Sequence, residues 1–242
     1  MLIADIEYKS GLCLDVHLPD SKEFSTFVYF HGGGLENGNK TAAYSFAEYL
    51  NKRNVAVVGV DYSKYPNAKY PDFIEDAAEA VAWTFKNISK YGDCKDIYVG
   101  GSSAGGYLSM MLCFDNKYLS KCGLNPLDVK GYIHDAGQPT AHFNVLRERG
   151  IDSRRVIIDE SAPLYYVGEA EEYSDMLFIV SDNDMQNRLE QIELTISTLK
   201  HFGHEDNISL KMMHGTHCHY NHAVDDDGES LFGKIIYSFI AK

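Results

Sequence analysis

Gly100-Gly101-Ser102-Ser103-Ala104-Gly105-Gly106 is the stretch on which the reading of the whole chain turns. It follows the apolar residues 97–99 and opens a second apolar run over 107–114. Read locally, that is a strand, a very tight turn and a helix. Gly101 and Gly105 stand two residues either side of Ser103, which gives the spacing G-x-S-x-G. A serine on such a turn is held in a strained backbone conformation with its hydroxyl clear of the sheet edge. Glycine is required on both sides because a Cβ there would meet the neighbouring strand or helix. The helix starts directly behind the serine, so its first N–H groups and its dipole point at the reacting atom. Centring the motif on Ser102 would put Gly100 and Ala104 at the flanks, a poorer steric fit. Ser103 is therefore the candidate nucleophile, against the alternative of a glycine-rich turn with incidental serines.

Outward from the turn, residues 27–30, 55–60, 97–99 and 176–180 are almost continuously apolar. Such runs imply strands buried on both faces, as in a parallel sheet covered by helices. Residues 129–133 and 208–213 read as further strands. At the start of the chain, 2–8 and 12–18 flank the turn Lys9-Ser10-Gly11. In the second of these, Leu12, Leu14, Val16 and Leu18 alternate with Cys13, Asp15 and His17, which predicts an antiparallel pair with one wet face. Helical spacing appears over 41–53, 72–90, 185–202 and 229–241, and the segment after Ser103 is apolar nearly all round. Alternating strands and helices give a doubly wound α/β sheet with right-handed crossovers. No repeat or linker splits residues 1–242, so a single domain is expected. Residues 138–174 are the irregular part. Following a central strand, they should lie near the carboxyl ends of the strands, where they either shape a pocket, act as a lid or form a packed surface excursion.

Composition narrows the partners. The 242 residues carry a net charge of −13 and form no basic stripe, which argues against nucleic acid or an anionic membrane. The five cysteines are scattered without a C-x-x-C pair, the usage of a reducing compartment rather than a disulfide framework. No apolar run approaches membrane-spanning length, and the first residues lack the basic and apolar regions of a signal peptide. A cytoplasmic protein is expected.

A serine hydroxyl becomes a strong nucleophile only when a base takes its proton, and that base needs an orienting acid. The developing oxyanion needs fixed donors as well. His31-Gly32-Gly33-Gly34, directly after a strand, exposes backbone N–H groups; Gly33 and Gly34 are the candidate donors, with Ala104 as a third. His31 precedes these glycines and is expected to hold the loop behind them. The last strand leads into His214-Gly215-Thr216-His217-Cys218-His219-Tyr220-Asn221-His222. Uneven spacing on a loop, without a matching carboxylate pattern, argues against a metal site there. His217 is the candidate base and His214 the second choice, with His219 and His222 facing solvent. The strand 176–180 leads to Ser181-Asp182-Asn183-Asp184-Met185. Asp184 is preferred as the acid over Asp182, which reads as a turn or cap residue. Asp135 comes third.

Taken together, these residues resemble the α/β-hydrolase superfamily, with its G-x-S-x-G elbow, HGGG-type donor loop and Ser…Asp…His order. The resemblance is closest to carboxylesterases near the hormone-sensitive lipase family and to feruloyl-esterase-like (BD-FAE-type) bacterial hydrolases. It is carried by His31-Gly32-Gly33-Gly34-Leu35-Glu36-Asn37-Gly38-Asn39-Lys40, by Asp61-Tyr62-Ser63-Lys64-Tyr65-Pro66, by Tyr70-Pro71-Asp72-Phe73-Ile74-Glu75-Asp76 and by the elbow itself. Three departures stand out: Ser102 where many relatives carry an acid, Leu35 where an aromatic is common, and strand pattern from residue 2 onward, which leaves no N-terminal cap segment. The resemblance implies an α/β-hydrolase fold without a large cap domain. It also implies a serine hydrolase that needs no cofactor or metal and acts on acetyl, short acyl or aryl esters, including those of acylated carbohydrates. An amide hydrolase on the same groups and a non-catalytic ligand receptor are the competing expectations.

Overall fold

The computed structural model describes all 242 residues. Its strands are β1 (Leu2–Lys9), β2 (Leu12–His17), β3 (Glu23–Phe30), β4 (Val55–Val60), β5 (Asp93–Ser102), β6 (Gly131–Asp135), β7 (Asp175–Asn183) and β8 (Ile208–Thr216). They form one sheet in the order β1-β2-β4-β3-β5-β6-β7-β8. From β4 to β8 every pairing is parallel, and β2 runs against both of its neighbours. The helices are α1 (Tyr44–Asn51), α2 (Asp72–Asn87), α3 (Ala104–Phe114), α4 (Asn116–Lys121), α5 (Phe143–Glu148), α6 (Arg188–His201) and α7 (Leu231–Ile240).

Two apolar layers sandwich the sheet. On one face α1 and α7 bring Phe46, Leu50, Phe232 and Ile236 against Phe27, Val57 and Ile179. On the other, α2, α3 and α6 bring Ile74, Leu108 and Ile192 against Val28, Val58 and Phe178. Helix α2 shows why such a segment is helical: Phe73, Ile74, Ala77, Ala78 and Val81 form one buried stripe, while Asp72 and Glu75 in the first turn and Lys86 in the last complement the helix dipole. Every residue of α3 is buried, so this helix runs through the centre of the molecule.

The regular elements differ from the sequence pattern mainly at their ends. The spacing over 41–53 resolves into a 3-10 turn, Lys40–Ala43, followed by α1. Strand β8 extends through His214, which therefore lies within the strand and not on the loop beyond it. Helix α6 begins at Arg188, three residues later than the spacing implies.

The wet face expected on β2 is the substantive correction. Asp15 and His17 are buried because the turn before α1 folds over them. Asp15 accepts from the Asp5 N–H at 2.8 Å and the Tyr44 hydroxyl at 2.6 Å, and Lys40 Nζ lies 3.5 Å away. The Tyr44 ring stands edge-on to His17 at 4.6 Å, and burial lowers the pKa of His17. Polar alternation marked a covered polar layer here because the covering residues are themselves polar.

Sterics at the β5–α3 junction are severe. A Cβ on Gly105 would sit 1.9 Å from the Phe30 carbonyl oxygen, and one on Gly101 would sit 2.5 Å from the same atom. Gly105→Ala is expected to lower the unfolding free energy by on the order of 3 kcal/mol through overpacking. Gly123→Ala, at a glycine with φ +80° and open space around its Cβ position, should cost only about 1 kcal/mol. Urea-unfolding midpoints of the two variants check the contrast.

Candidate active site

The carboxyl ends of β3, β5, β7 and β8 converge on one cleft of about 550 Å3. Ser103 sits at the turn between β5 and α3 with φ 55° and ψ −110°, a region that costs a non-glycine residue about 1–3 kcal/mol. The conformation is held from both sides: Ser103 N–H donates to the Asp135 carbonyl at 2.7 Å, and Tyr107 N–H donates to the Ser103 carbonyl at 3.0 Å. The side chain consequently projects into the cleft, while the neighbouring Ser102 is buried.

His217 follows β8 and places Nε2 2.8 Å from Ser103 Oγ. Its Nδ1 lies 2.5 Å from Asp184 Oδ1. A carboxylate only accepts, so Nδ1 carries the ring proton and Nε2 accepts from the serine hydroxyl. Asp184 is pulled in two directions. Burial pushes its carboxyl up; the hydrogen bond and charge of His217, with the N–H groups of Met185 and Ser181, outweigh this and hold it below the ordinary carboxylate value. Next to the ring, the Cys218 thiol stands 3.7 Å from Nε2, and burial keeps it protonated.

The second-choice residues form a separate pair. Asp182 accepts from His214 Nδ1 at 2.7 Å and from Gly215 N–H at 2.9 Å. The His214 side chain is 95% exposed, against 24% for His217, and neither Asp182 nor His214 contacts Ser103. The Gly215 N–H, followed by His214, lowers the pKa of Asp182, which staples the end of β7 to the end of β8. Asp135, fully buried, does not bond His217 either; its carboxylate faces Tyr220 and Asn221. His219 and His222 are exposed. No group of three or more His, Cys, Asp or Glu side chains is arranged to hold a metal ion.

Beside the serine, Gly33 and Gly34 turn through φ +119° and +66°. Their N–H groups donate to no other protein group, whereas the Gly33 carbonyl is occupied by the N–H groups of Glu36 and Asn37. A side chain at Gly33 would put its Cβ 2.2 Å from the Asn37 carbonyl oxygen. His31 lies behind this loop, stacked on Tyr62 at 4.3 Å, with Nδ1–H donating to the Gly32 carbonyl at 2.6 Å. Burial lowers its pKa to about 4, so the ring stays neutral.

Residues 138–174 remain mostly irregular, as the sequence implies; their only regular elements are α5 and a 3-10 turn, Pro163–Tyr166, and both are largely buried. Asn144 Nδ2 donates to the Gly34 carbonyl at 2.9 Å, and Phe143 packs against Gly34 and lines the cleft. Sequence reasoning missed this brace, and it missed Tyr220 and Asn221 too. Asn144 falls among mixed charges with no motif around it; Asn221 was visible only as part of a histidine-rich loop.

A family model described as alpha/beta hydrolase fold matches residues 27–150, the stretch that runs from the strand before the glycine loop through the elbow to α5. The chain belongs to the α/β-hydrolase family. Among curated relatives of this family, it is 39% identical over 88 residues to an AB hydrolase superfamily protein of Schizosaccharomyces pombe, covering 36% of this chain and 26% of that one. It is 35% identical over 96 residues to esterase LipI of Mycobacterium tuberculosis, covering 39% and 30% respectively. The aligned stretches thus span less than a third of these relatives' own lengths. Among solved structures, the thermophilic esterase Est2 of Thermogutta terrifontis superposes with a TM-score of 0.77 at 20% identity, over 98% of this chain and 91% of that one. The esterase of Pyrobaculum calidifontis gives 0.77 at 20% identity, over 100% and 85%.

The two aspartate–histidine pairs make opposite predictions. Asp184→Asn should lower kcat for a small ester by about 10³- to 10⁴-fold, because an amide in place of the acceptor favours the wrong ring tautomer. Asp182→Asn, which disturbs an exposed staple, should cost less than about tenfold. Steady-state turnover of p-nitrophenyl acetate by the two variants decides between them.

Proposed function

We propose that the chain is a serine carboxylic-ester hydrolase acting on small or exposed acyl and aryl esters through an acyl-enzyme intermediate. The observation that carries this reading is the continuous relay Asp184–His217–Ser103, at 2.5 and 2.8 Å, ending at a hydroxyl in an open cleft beside unoccupied backbone donors. In the proposed reaction Ser103 Oγ attacks the ester carbonyl carbon as its proton passes to His217 Nε2. Asp184 holds the ring in the required tautomer and stabilises the imidazolium. The N–H groups of Gly33, Gly34 and Ala104 receive the charge that develops on the carbonyl oxygen, each donor contributing about 3 kcal/mol of transition-state stabilisation. His217 then returns the proton to the departing alcohol, and water repeats the sequence on the acyl-enzyme. No step calls on a cofactor or metal.

The lining supports a short acyl group and a polar alcohol. Phe143 and Met185 supply apolar surface, whereas Asn37, Ser45 and His222 present polar groups and the rim carries the Glu36–Arg147 ion pair. The Thermogutta terrifontis esterase has been solved with propionate and with butyrate bound, which favours acyl groups of that size here as well. Esters of hydroxyl-rich alcohols, acylated carbohydrates among them, fit the polar side of the cleft. A complete relay favours an enzyme over a ligand receptor. No helix is long and apolar enough to cross a membrane. The five unpaired, scattered cysteines support a cytoplasmic setting.

Ser103→Ala should reduce p-nitrophenyl acetate turnover by at least about 10³-fold and abolish labelling by a fluorophosphonate while the melting temperature holds or rises. Near-normal turnover would remove Ser103 from the reaction. In a chain-length series, kcat/KM should stay within roughly tenfold between butyrate and palmitate esters and not climb with each added methylene, since an open cleft of this size leaves the extra methylenes in water and gains no binding from them.

A further inference from the structure

Beneath the elbow lies a carboxylate that the reaction above does not use. Asp135 ends β6, pairs in register with Ser102 and is fully buried. Its carbonyl accepts the Ser103 N–H, as described, and its side chain accepts from the Tyr220 hydroxyl and, at 3.1 Å, from Asn221 Nδ2. The same Asn221 amide donates to Ser102 Oγ at 2.8 Å, and that oxygen also accepts from the Tyr29 hydroxyl at 3.1 Å. Tyr220 and Asn221 belong to the short turn His219–Asn221, directly behind His217. One side chain therefore ties the serine-bearing strand end to the segment that carries the base.

A neutral amide would fill the same space, so the acid calls for an account of its charge. The groups facing Asp135 are Tyr29 from β3, Ser102 from β5, and His217, Cys218, Tyr220 and Asn221 from the segment after β8. Burial pushes the Tyr29 and Tyr220 hydroxyls and the Cys218 thiol upward, so all three stay neutral. Arg188 from α6 spends its guanidinium on the Ala136 carbonyl and the Gln138 side chain. His217 is thus the one facing group that takes up a positive charge during the reaction. Burial raises Asp135 to about 6, opposed by its bonds to Ser102, Tyr220 and Asn221 and by His217.

We propose that Asp135 is a positioning residue of this centre: through Tyr220 and Asn221 it holds the turn behind His217 against the elbow, and its buried negative charge favours the imidazolium that forms when His217 takes the Ser103 proton. This rests on the serine-hydrolase reading. The test is Asp135→Asn in the full chain, with kcat and KM for p-nitrophenyl acetate measured between about pH 5 and pH 9. Expected are a kcat lower by about 10- to 100-fold, a KM within about twofold, and an acid limb of kcat/KM displaced to lower pH by about half a unit. The sign follows from the removal of an anion that had favoured the protonated ring. A purely structural role would lower the melting temperature or kcat and leave the limb in place. Wild-type kcat, or an unmoved limb, overturns the proposal. If Asp135→Asn does not fold, Tyr220→Phe keeps the carboxyl, removes its hydroxyl donor and is read on the same limb, with displacement to lower pH supporting the proposal and an unmoved limb overturning it. If the wild-type chain turns over no ester, the hydrolase reading falls first; an active wild type with an indistinguishable Asp135→Asn sinks the Asp135 proposal alone.

Discussion

The molecule depends on how closely one helix approaches the end of its sheet. Helix α3 runs through the core with both sides covered, and its first turn comes within van der Waals reach of the Phe30 carbonyl. Only glycine at 101 and 105 permits that approach. Because the helix must begin there, Ser103 has no room for ordinary backbone angles and is driven to φ 55°. The strain is balanced by the burial of the whole helix, a term far larger than the cost of one residue's conformation. The placement of the Ser103 hydroxyl in the cleft thus begins as a packing constraint.

Around this fixed point the fold selects between similar groups by depth. Asp182 and Asp184 lie two residues apart, and each accepts from a histidine ring at 2.7 or 2.5 Å. The Asp184 side chain is 1% exposed and that of Asp182 is 44% exposed. Water screens the outer pair, while the inner one acts in a low-dielectric setting where a fixed charge has most effect on its neighbour. The donor loop is arranged by a similar division: carbonyls are occupied by Glu36, Asn37 and Asn144, leaving N–H groups to face the cleft.

What could be read from the residues follows the range of the forces involved. The elbow and the glycine loop are local steric problems, and their spacing announces them. Parallel strands were visible as unbroken apolar runs for the same reason. Asp182 lies near the end of β7 and Asp184 just beyond it, and no local rule separates them, because the choice is made by His214 lying within β8 and His217 just past its end. Placing His214 on the loop rather than in the strand blurred that geometry. On β2, alternation concealed a buried polar layer, since Lys40 and Tyr44 arrive from a segment more than twenty residues away. Asn144, Asn221 and Asp135 matter through contacts 80 or more residues apart in the chain, and composition carries no trace of such contacts.

The covered polar layer on β2 also bears on the shape of the cleft, although it lies toward one edge of the sheet. Lys40 ends the glycine loop, with its ammonium 2.8 Å from Asp5 on β1 and 3.5 Å from Asp15 on β2, and its backbone N–H donating to Asp61 at 2.8 Å. The loop that offers Gly33 and Gly34 to the cleft is moored at its distal end to the first hairpin of the chain. A hairpin that contributes no lining to the cleft is therefore the fixed abutment against which the glycine loop keeps its shape.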